Sequence, residues 1–251
     1  MKLSNTLAGL PSFVRDIIFV VVVVGGVSLV SQALLGLWTP MVAVESGSMV
    51  PNMNIGDIII VQGISRTDVI TWEEGEAKGY RSFNNPGDVI LYRPYGKKKL
   101  GVLDIIPGIL GIGSGGDKAT PIIHRAMRWV EKGEPMWEGG PPAPFAGYIT
   151  KGDHNEVIDQ MAGRILGVPN YSYIREHPER FRETADGILV DRETGLVIYS
   201  QGNTSYVTDG ISYLTPVRKE WVIGVARYRI PYVGYIRLIP EMIVDWIRGV
   251  I

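Results

Sequence analysis

The feature that most limits how this chain can fold is the run from Ile17 to Trp38, IIFVVVVVGGVSLVSQALLGLW, which contains no charged side chain. A helix rises about 1.5 Å per residue, so a run of this length crosses a hydrocarbon core of about 30 Å. Its valines are poor helix formers in water. In lipid, every backbone amide needs a partner within the segment, and that requirement enforces the helix. Residues 17–38 are therefore expected to span a membrane. Lys2 and Arg15 precede the span, so the positive-inside tendency puts residues 1–16 in the cytoplasm and residues 39–251 outside it. The competing reading is a cleaved signal peptide, because Ser31-Gln32-Ala33 offers small residues after an apolar run. The apolar stretch continues through Leu34, Leu35, Leu37 and Trp38, which suits an aromatic-ended span better.

Beyond Pro40 the text changes to short runs rich in valine, isoleucine and tyrosine, punctuated by glycine, proline and asparagine. This is the pattern of strands joined by turns. Strands are expected at Met41–Val44, Asp57–Val61, Asp88–Tyr92, Ile122–Val130, Gly147–Lys151, Ile188–Val190, Leu196–Ser200 and Trp221–Tyr228. The prediction is a mostly β domain over residues 39–251, with insertions at about 63–81, 96–120 and 170–216 decorating the core. Arg175 to Arg182 has helical-looking charge. From Pro240 to Ile251, Met242, Ile243, Trp246, Ile247 and Val250 fall at helical spacing over too short a stretch to span a bilayer, which predicts a C-terminal amphipathic helix.

Composition narrows the chemistry. With 251 residues, 45% of them hydrophobic, the chain has ample material for a core. A formal net charge of -1 gives no electrostatic reason to expect a nucleic-acid partner. The absence of cysteine removes disulfides, thiol nucleophiles and thiolate metal sites. Any imidazole chemistry must use His124, His154 or His177.

Directly after the apolar run comes Val44-Glu-Ser-Gly-Ser-Met-Val-Pro51, followed by Asn54-Ile-Gly-Asp-Ile-Ile-Ile-Val61. Glycine before Ser48 permits a tight backbone path that exposes a hydroxyl. A serine hydroxyl is a weak nucleophile near neutral pH and needs a base within hydrogen-bond reach. The apolar strand Ile122-Ile-His-Arg-Ala-Met127 offers His124, and Tyr148-Ile-Thr-Lys-Gly-Asp-His-Asn-Glu-Val-Ile-Asp159 offers two acids. Taken singly, each has a plainer reading: a loop tripeptide, a half-buried strand histidine, and an Asx-type turn.

Together these boxes resemble the type I signal peptidase family. The Ser-Gly-Ser-Met-x-Pro segment with its following Gly-Asp turn is similar to that family's nucleophile box, and Ser48 matches the catalytic serine. Bacterial members use lysine as base. Histidine at 124 makes the resemblance one to the archaeal and endoplasmic-reticulum branch. An unperturbed imidazole is largely neutral near pH 7, so it needs little desolvation to accept a proton. Asp153 and Asp159 match the acids of the Gly-Asp-x-Asn box. Either could hold one imidazole tautomer, with Asp159 slightly favoured and Asp153 then structural. The oxyanion donors implied are the Ser48 amide and the Ser46 hydroxyl. Pro216 to Tyr235 is similar to the closing strand and Ile-Pro-x-x-Gly segment of the same branch. His154, where asparagine is more usual, and Gln160 depart from the pattern.

The resemblance implies a membrane-anchored serine endopeptidase with its catalytic domain outside the membrane. It would remove signal peptides from secreted preproteins after small residues, without a cofactor or metal. Preproteins, the lipid bilayer and the secretion translocon are the implied partners. One rival is a serine-lysine peptidase using Lys118 or Lys151, and another is a catalytically silent membrane-anchored β module of a secretion complex. Gly111 to Gly116 satisfies G-x-G-x-x-G but sits in no readable strand-to-helix turn, so it is read as a loop. Arg93 with Lys97, Lys98 and Lys99 is read as a solvated loop able to meet anionic head groups. Asn170-Tyr-Ser172 and Asn203-Thr-Ser205 are glycosylation sequons, expected at the surface.

Overall fold

The computed structural model describes residues 11–96, 121–184, 187–236 and 238–239. The amphipathic segment 240–251, the glycine-rich stretch 111–116 and nearly all of the insertion at 96–120 lie outside the described residues.

Helix α1 (Ser12–Leu35) starts after Pro11, earlier than the charge-free run predicts, and takes in Arg15 and Asp16. It ends at Gly36, whose left-handed backbone (φ 72°) lets its N–H bond to the Gln32 carbonyl at 3.1 Å. Only glycine adopts that conformation without a Cβ penalty. The helix buries almost nothing against protein: Phe19 is 69% exposed and Val22 65%. It is long and apolar enough to cross a membrane.

The strands in chain order are β1 (Met41–Ala43), β2 (Ile58–Gly63), β3 (Arg81–Ser82), β4 (Asn85–Pro86), β5 (Val89–Tyr92), β6 (Ile122–Val130), β7 (Gly147–Lys151), β8 (Ile165–Gly167), β9 (Phe181–Glu183), β10 (Leu189–Asp191), β11 (Val197–Gln201), β12 (Thr204–Thr208) and β13 (Val222–Ile230). The main sheet runs β1-β2-β13-β5-β6-β7 with antiparallel neighbours throughout. Its period-two alternation is visible in β2, where Ile59 and Val61 are buried while Ile58 and Ile60 are half-buried. The chain is thus mostly β, as expected, with one N-terminal apolar helix.

The insertions differ from expectation. Within residues 63–81 the chain forms a short helix, α2 (Trp72–Lys78), started by a capping box in which Thr71 and Glu74 satisfy each other's backbone amides. Around residues 170–182 a shorter helix, α3 (Tyr171–Glu176), is capped by the Asn170 side chain. Pro178 lacks the amide that a continuing helix needs, and the chain turns into β9.

Residues 165–208 do not decorate the core; they build part of it. They form a second antiparallel sheet in the order β8-β12-β11-β10-β9. Ile188, Val190 and Val197 from this region share one buried cluster with Ile90, Tyr92, Tyr148 and Val225 of the main sheet. Two sheets that each bury one apolar face need each other, and every fully buried aliphatic side chain contributes about 1.5–3 kcal/mol. The second sheet therefore covers the inner face of the first, including Tyr92, which is fully buried.

Candidate active site

Ser48 sits where β1 gives way to a turn. Met49 is fully buried, and its carbonyl accepts from the Asn52 and Met53 amides at 2.9 and 3.0 Å. Asp57 closes the turn by accepting from the Asn54 amide at 2.8 Å. The Met49 side chain anchors the loop in the core, while Ser48 beside it remains half-buried and open to solvent.

His124 lies on β6, opposite Ile90 of β5, and is 2% exposed. Its Nε2 is 2.9 Å from Ser48 Oγ, and its Nδ1 is 2.7 Å from Asp159 Oδ2. Asp159, 1% exposed, is held in the turn after β7 by its own amide, which donates to the Thr150 carbonyl at 2.8 Å. The imidazole thus bridges a hydroxyl and a carboxylate. A carboxylate acceptor at Nδ1 keeps the proton on that nitrogen, which leaves the Nε2 lone pair to accept from Ser48 Oγ–H.

Asp153 is not part of this chain of contacts. Its carboxylate takes both Nε and Nη2 of Arg125 at 2.7 Å each, and also accepts from Asn52 Nδ2 at 2.7 Å. Arg125 follows His124 on β6, so its side chain leaves from the opposite face of the strand. It is fully buried, and its Nη1 donates to the carbonyls of Ser82, Pro86 and Gly87. Of the two acids left open by the sequence, Asp159 meets the histidine. Asp153 neutralises a buried cation and ties the Asn52 turn and the β3–β4 hairpin to the end of β7.

The turn that carries Asp153 also grips the nucleophile loop. The His154 amide donates to the Ser48 carbonyl at 2.9 Å, and the Asp153 amide donates to Met49 Sδ at 3.4 Å. Gly152 makes this approach possible, because a Cβ there would lie 2.6 Å from Ser48 O. The Ser46 hydroxyl is 3.3 Å from Ser48 Oγ and exposed. Among the described residues no hydrogen bond uses the Ser48 amide.

Three further residues build this site and carried no mark in the sequence reading. The Thr150 hydroxyl donates to Asp159 Oδ2 at 2.6 Å and the Tyr92 phenol donates to the same oxygen at 3.2 Å. Burial, and then the Asp159 charge, push the Tyr92 phenol well above its usual range, so it stays a donor. Arg125 is the third. Gln160 is fully buried, accepting from the Thr150 amide at 3.1 Å and donating to the Thr215 carbonyl at 3.3 Å.

Lys151 lies on β7 opposite Arg125 and makes no hydrogen bond to Ser48, and Lys118 lies outside the described residues. His154 is exposed, and His177 stacks on Tyr173 with ring centroids 4.2 Å apart. Among the described residues no group of histidine and acidic side chains could hold a metal ion. Asn170 and Asn203 are both exposed. Compared with protein families and with curated proteins, the chain matches no family model and no curated relative.

Proposed function

We propose that this chain is a membrane-anchored serine endopeptidase of the type I signal peptidase kind, in its archaeal and endoplasmic-reticulum form, removing signal peptides from secretory preproteins after small residues. The observation that carries the reading is the contact series Ser48–His124–Asp159, with 2.9 and 2.7 Å between successive groups drawn from three separate elements. In the reaction, His124 Nε2 takes the Ser48 proton as Oγ attacks the scissile carbonyl. The Ser48 amide and Ser46 hydroxyl meet the developing oxyanion. His124 then gives the proton to the leaving amine, and water hydrolyses the acyl-enzyme by the same route.

A position at a membrane is supported by more than α1. Met41 of β1, Ile60 of β2 and Tyr228 of β13 are in register across three strands. Met41 and Tyr228 are 59% and 69% exposed, and Tyr232 and Ile236 beyond them are 72% and 79% exposed. Exposed apolar surface of this extent, with tyrosines, suits the boundary between water and lipid. Anchoring enzyme and signal peptide in one bilayer raises their effective concentration. The catalytic domain is proposed to lie outside the cell membrane, with residues 1–16 inside.

The test is processing of a preprotein in detergent by the purified chain, alongside Ser48→Ala and His124→Ala. Cleavage after a small residue by the wild type alone is expected. Equal processing by all three proteins would end the proposal.

A further inference from the structure

We propose that Thr150, backed by Tyr92, is a positioning residue that sets how strongly Asp159 holds the proton of His124. This rests on the peptidase reading above. Three donors converge on a single oxygen, Asp159 Oδ2: His124 Nδ1 at 2.7 Å, Thr150 Oγ1 at 2.6 Å and Tyr92 OH at 3.2 Å. Thr150 and Tyr92 are fully buried, and their hydroxyls lie 3.4 Å from each other. A strand needs no hydroxyl at either place. Valine would fill the Thr150 site on β7 with the same β-branched shape, and phenylalanine would fill the Tyr92 site on β5.

The hydroxyls act on the acid in two ways. They fix its rotamer, so that Oδ2 faces the imidazole. They also neutralise part of its negative charge, and hydrogen bonds to an ionised acceptor are the strong ones. The more of that charge the hydroxyls absorb, the less remains to hold a proton on the imidazole. Among the described residues the ionisable group bonded to His124 is Asp159, from the turn after β7, and Tyr92 of β5 bonds to the same carboxylate oxygen. Arg125 and Asp153 pair with each other on the opposite face of β6. The Tyr92 phenol resists ionisation, so it remains a donor over the working range of a histidine base. Tyr92 is also packed under the second sheet, in one cluster with Ile188 and Val190, so that sheet holds part of the acid's hydrogen-bond shell in place.

The experiment compares Thr150→Val, Thr150→Ser and Tyr92→Phe with the full wild-type chain. For Thr150→Val the expected result is a kcat lower by about tenfold with KM unchanged, because the residue is buried behind the histidine and out of a substrate's reach. The acidic limb of the pH–rate profile should move to higher pH, since a less neutralised Asp159 favours the charged imidazole. Thr150→Ser should restore both values, and Tyr92→Phe should move both in the same direction by less. A second readout does not depend on turnover: the ring-nitrogen NMR signals of His124 in protein labelled with 15N-histidine, recorded also in the Ser48→Ala background. They should shift in Thr150→Val and return in Thr150→Ser.

If the wild type cuts no preprotein while the ring signals still respond to Thr150, the peptidase reading falls and the positioning role stands. An active Thr150→Val enzyme with a wild-type pH profile and unmoved ring signals would overturn the proposal. So would a loss of stability and activity that serine does not rescue.

Discussion

His124 Nε2 and Ser48 Oγ lie 2.9 Å apart although 76 positions separate them in sequence. The contact exists because the Ser48 turn, which leaves β1 at one edge of the main sheet, reaches back to β6, one strand in from the opposite edge. Residues that act as one unit lose function as one unit. Ser48→Ala and His124→Ala should each lower kcat by about 10³-fold or more, and the double variant should be no worse than the poorer single. Steady-state kinetics on a preprotein or a peptide spanning the cut would show whether the losses overlap in this way. Multiplying losses would mean that the two groups work separately.

The two acids should separate cleanly. Asp159→Asn keeps the shape of the site but cannot hold the same tautomer, so kcat should fall by about 10⁴-fold with thermal stability little changed. Asp153→Asn leaves Arg125, fully buried, without its counter-charge. Breaking a buried pair on one side costs about 3–5 kcal/mol, so the melting temperature should fall by many degrees. Kinetics and thermal unfolding on both variants would check the assignment, and an exchange of the two phenotypes would reverse it.

Gly152→Ala should act at a distance on the nucleophile. The added methyl would meet the Ser48 carbonyl at 2.6 Å and the Asn155 side-chain amide at 2.8 Å; the side chain can swing aside, but the carbonyl is backbone. The Ser48 turn must shift, and a displacement of about 1 Å can cost about 10²-fold in rate. The loss should appear mainly in kcat. A variant with wild-type kcat would show that the turn relaxes without moving the hydroxyl.

Buried tyrosines set an alkaline limit to stability. Burial raises the phenols of Tyr92 and Tyr95, and burial reinforced by the charges of Asp68, Glu74 and Asp88 pushes Tyr148 up to about 12. The neutral phenol is favoured in the folded state, so this stability is fully present below the unfolded tyrosine value of about 10. It is lost progressively as pH rises beyond that value toward 12. The denaturation midpoint should fall with pH across that window. Tyr148→Phe should flatten the decline.

Much of the main sheet was legible because its strands are apolar, β-branched-rich runs bounded by turn residues, as in Ile58 to Val61 after Gly56-Asp57 and Val89 to Tyr92 after Pro86-Gly87. The strands missed have weaker marks. Ile165–Gly167 and Phe181–Glu183 are three residues long, and Thr204–Thr208 is mostly polar; their pairing comes from neighbours already in the second sheet. Ser48 and His124 stood out by their motifs. Asp153 and Asp159 could not be told apart from sequence, because the difference lies in Arg125, and the carbonyls that receive Arg125 come from residues 82–87 in a distant hairpin. Thr150 and Tyr92 are ordinary strand residues until the fold turns their hydroxyls onto one carboxylate oxygen.

The junction between helix and sheet has a mechanical consequence. Ser31 Oγ bonds to the Leu37 carbonyl at 2.6 Å, and a Cβ at Gly63 would lie 3.1 Å from both the Leu35 and Gly36 carbonyls. Leu37 packs against the cluster that contains Met49 and Val61. These contacts tie the foot of the rod to the plate. If the rod stands in a bilayer, the hydroxyl at 48 rides at one height above it, and under the proposed peptidase reading the molecule would act as a ruler for where a chain emerging from the lipid is cut.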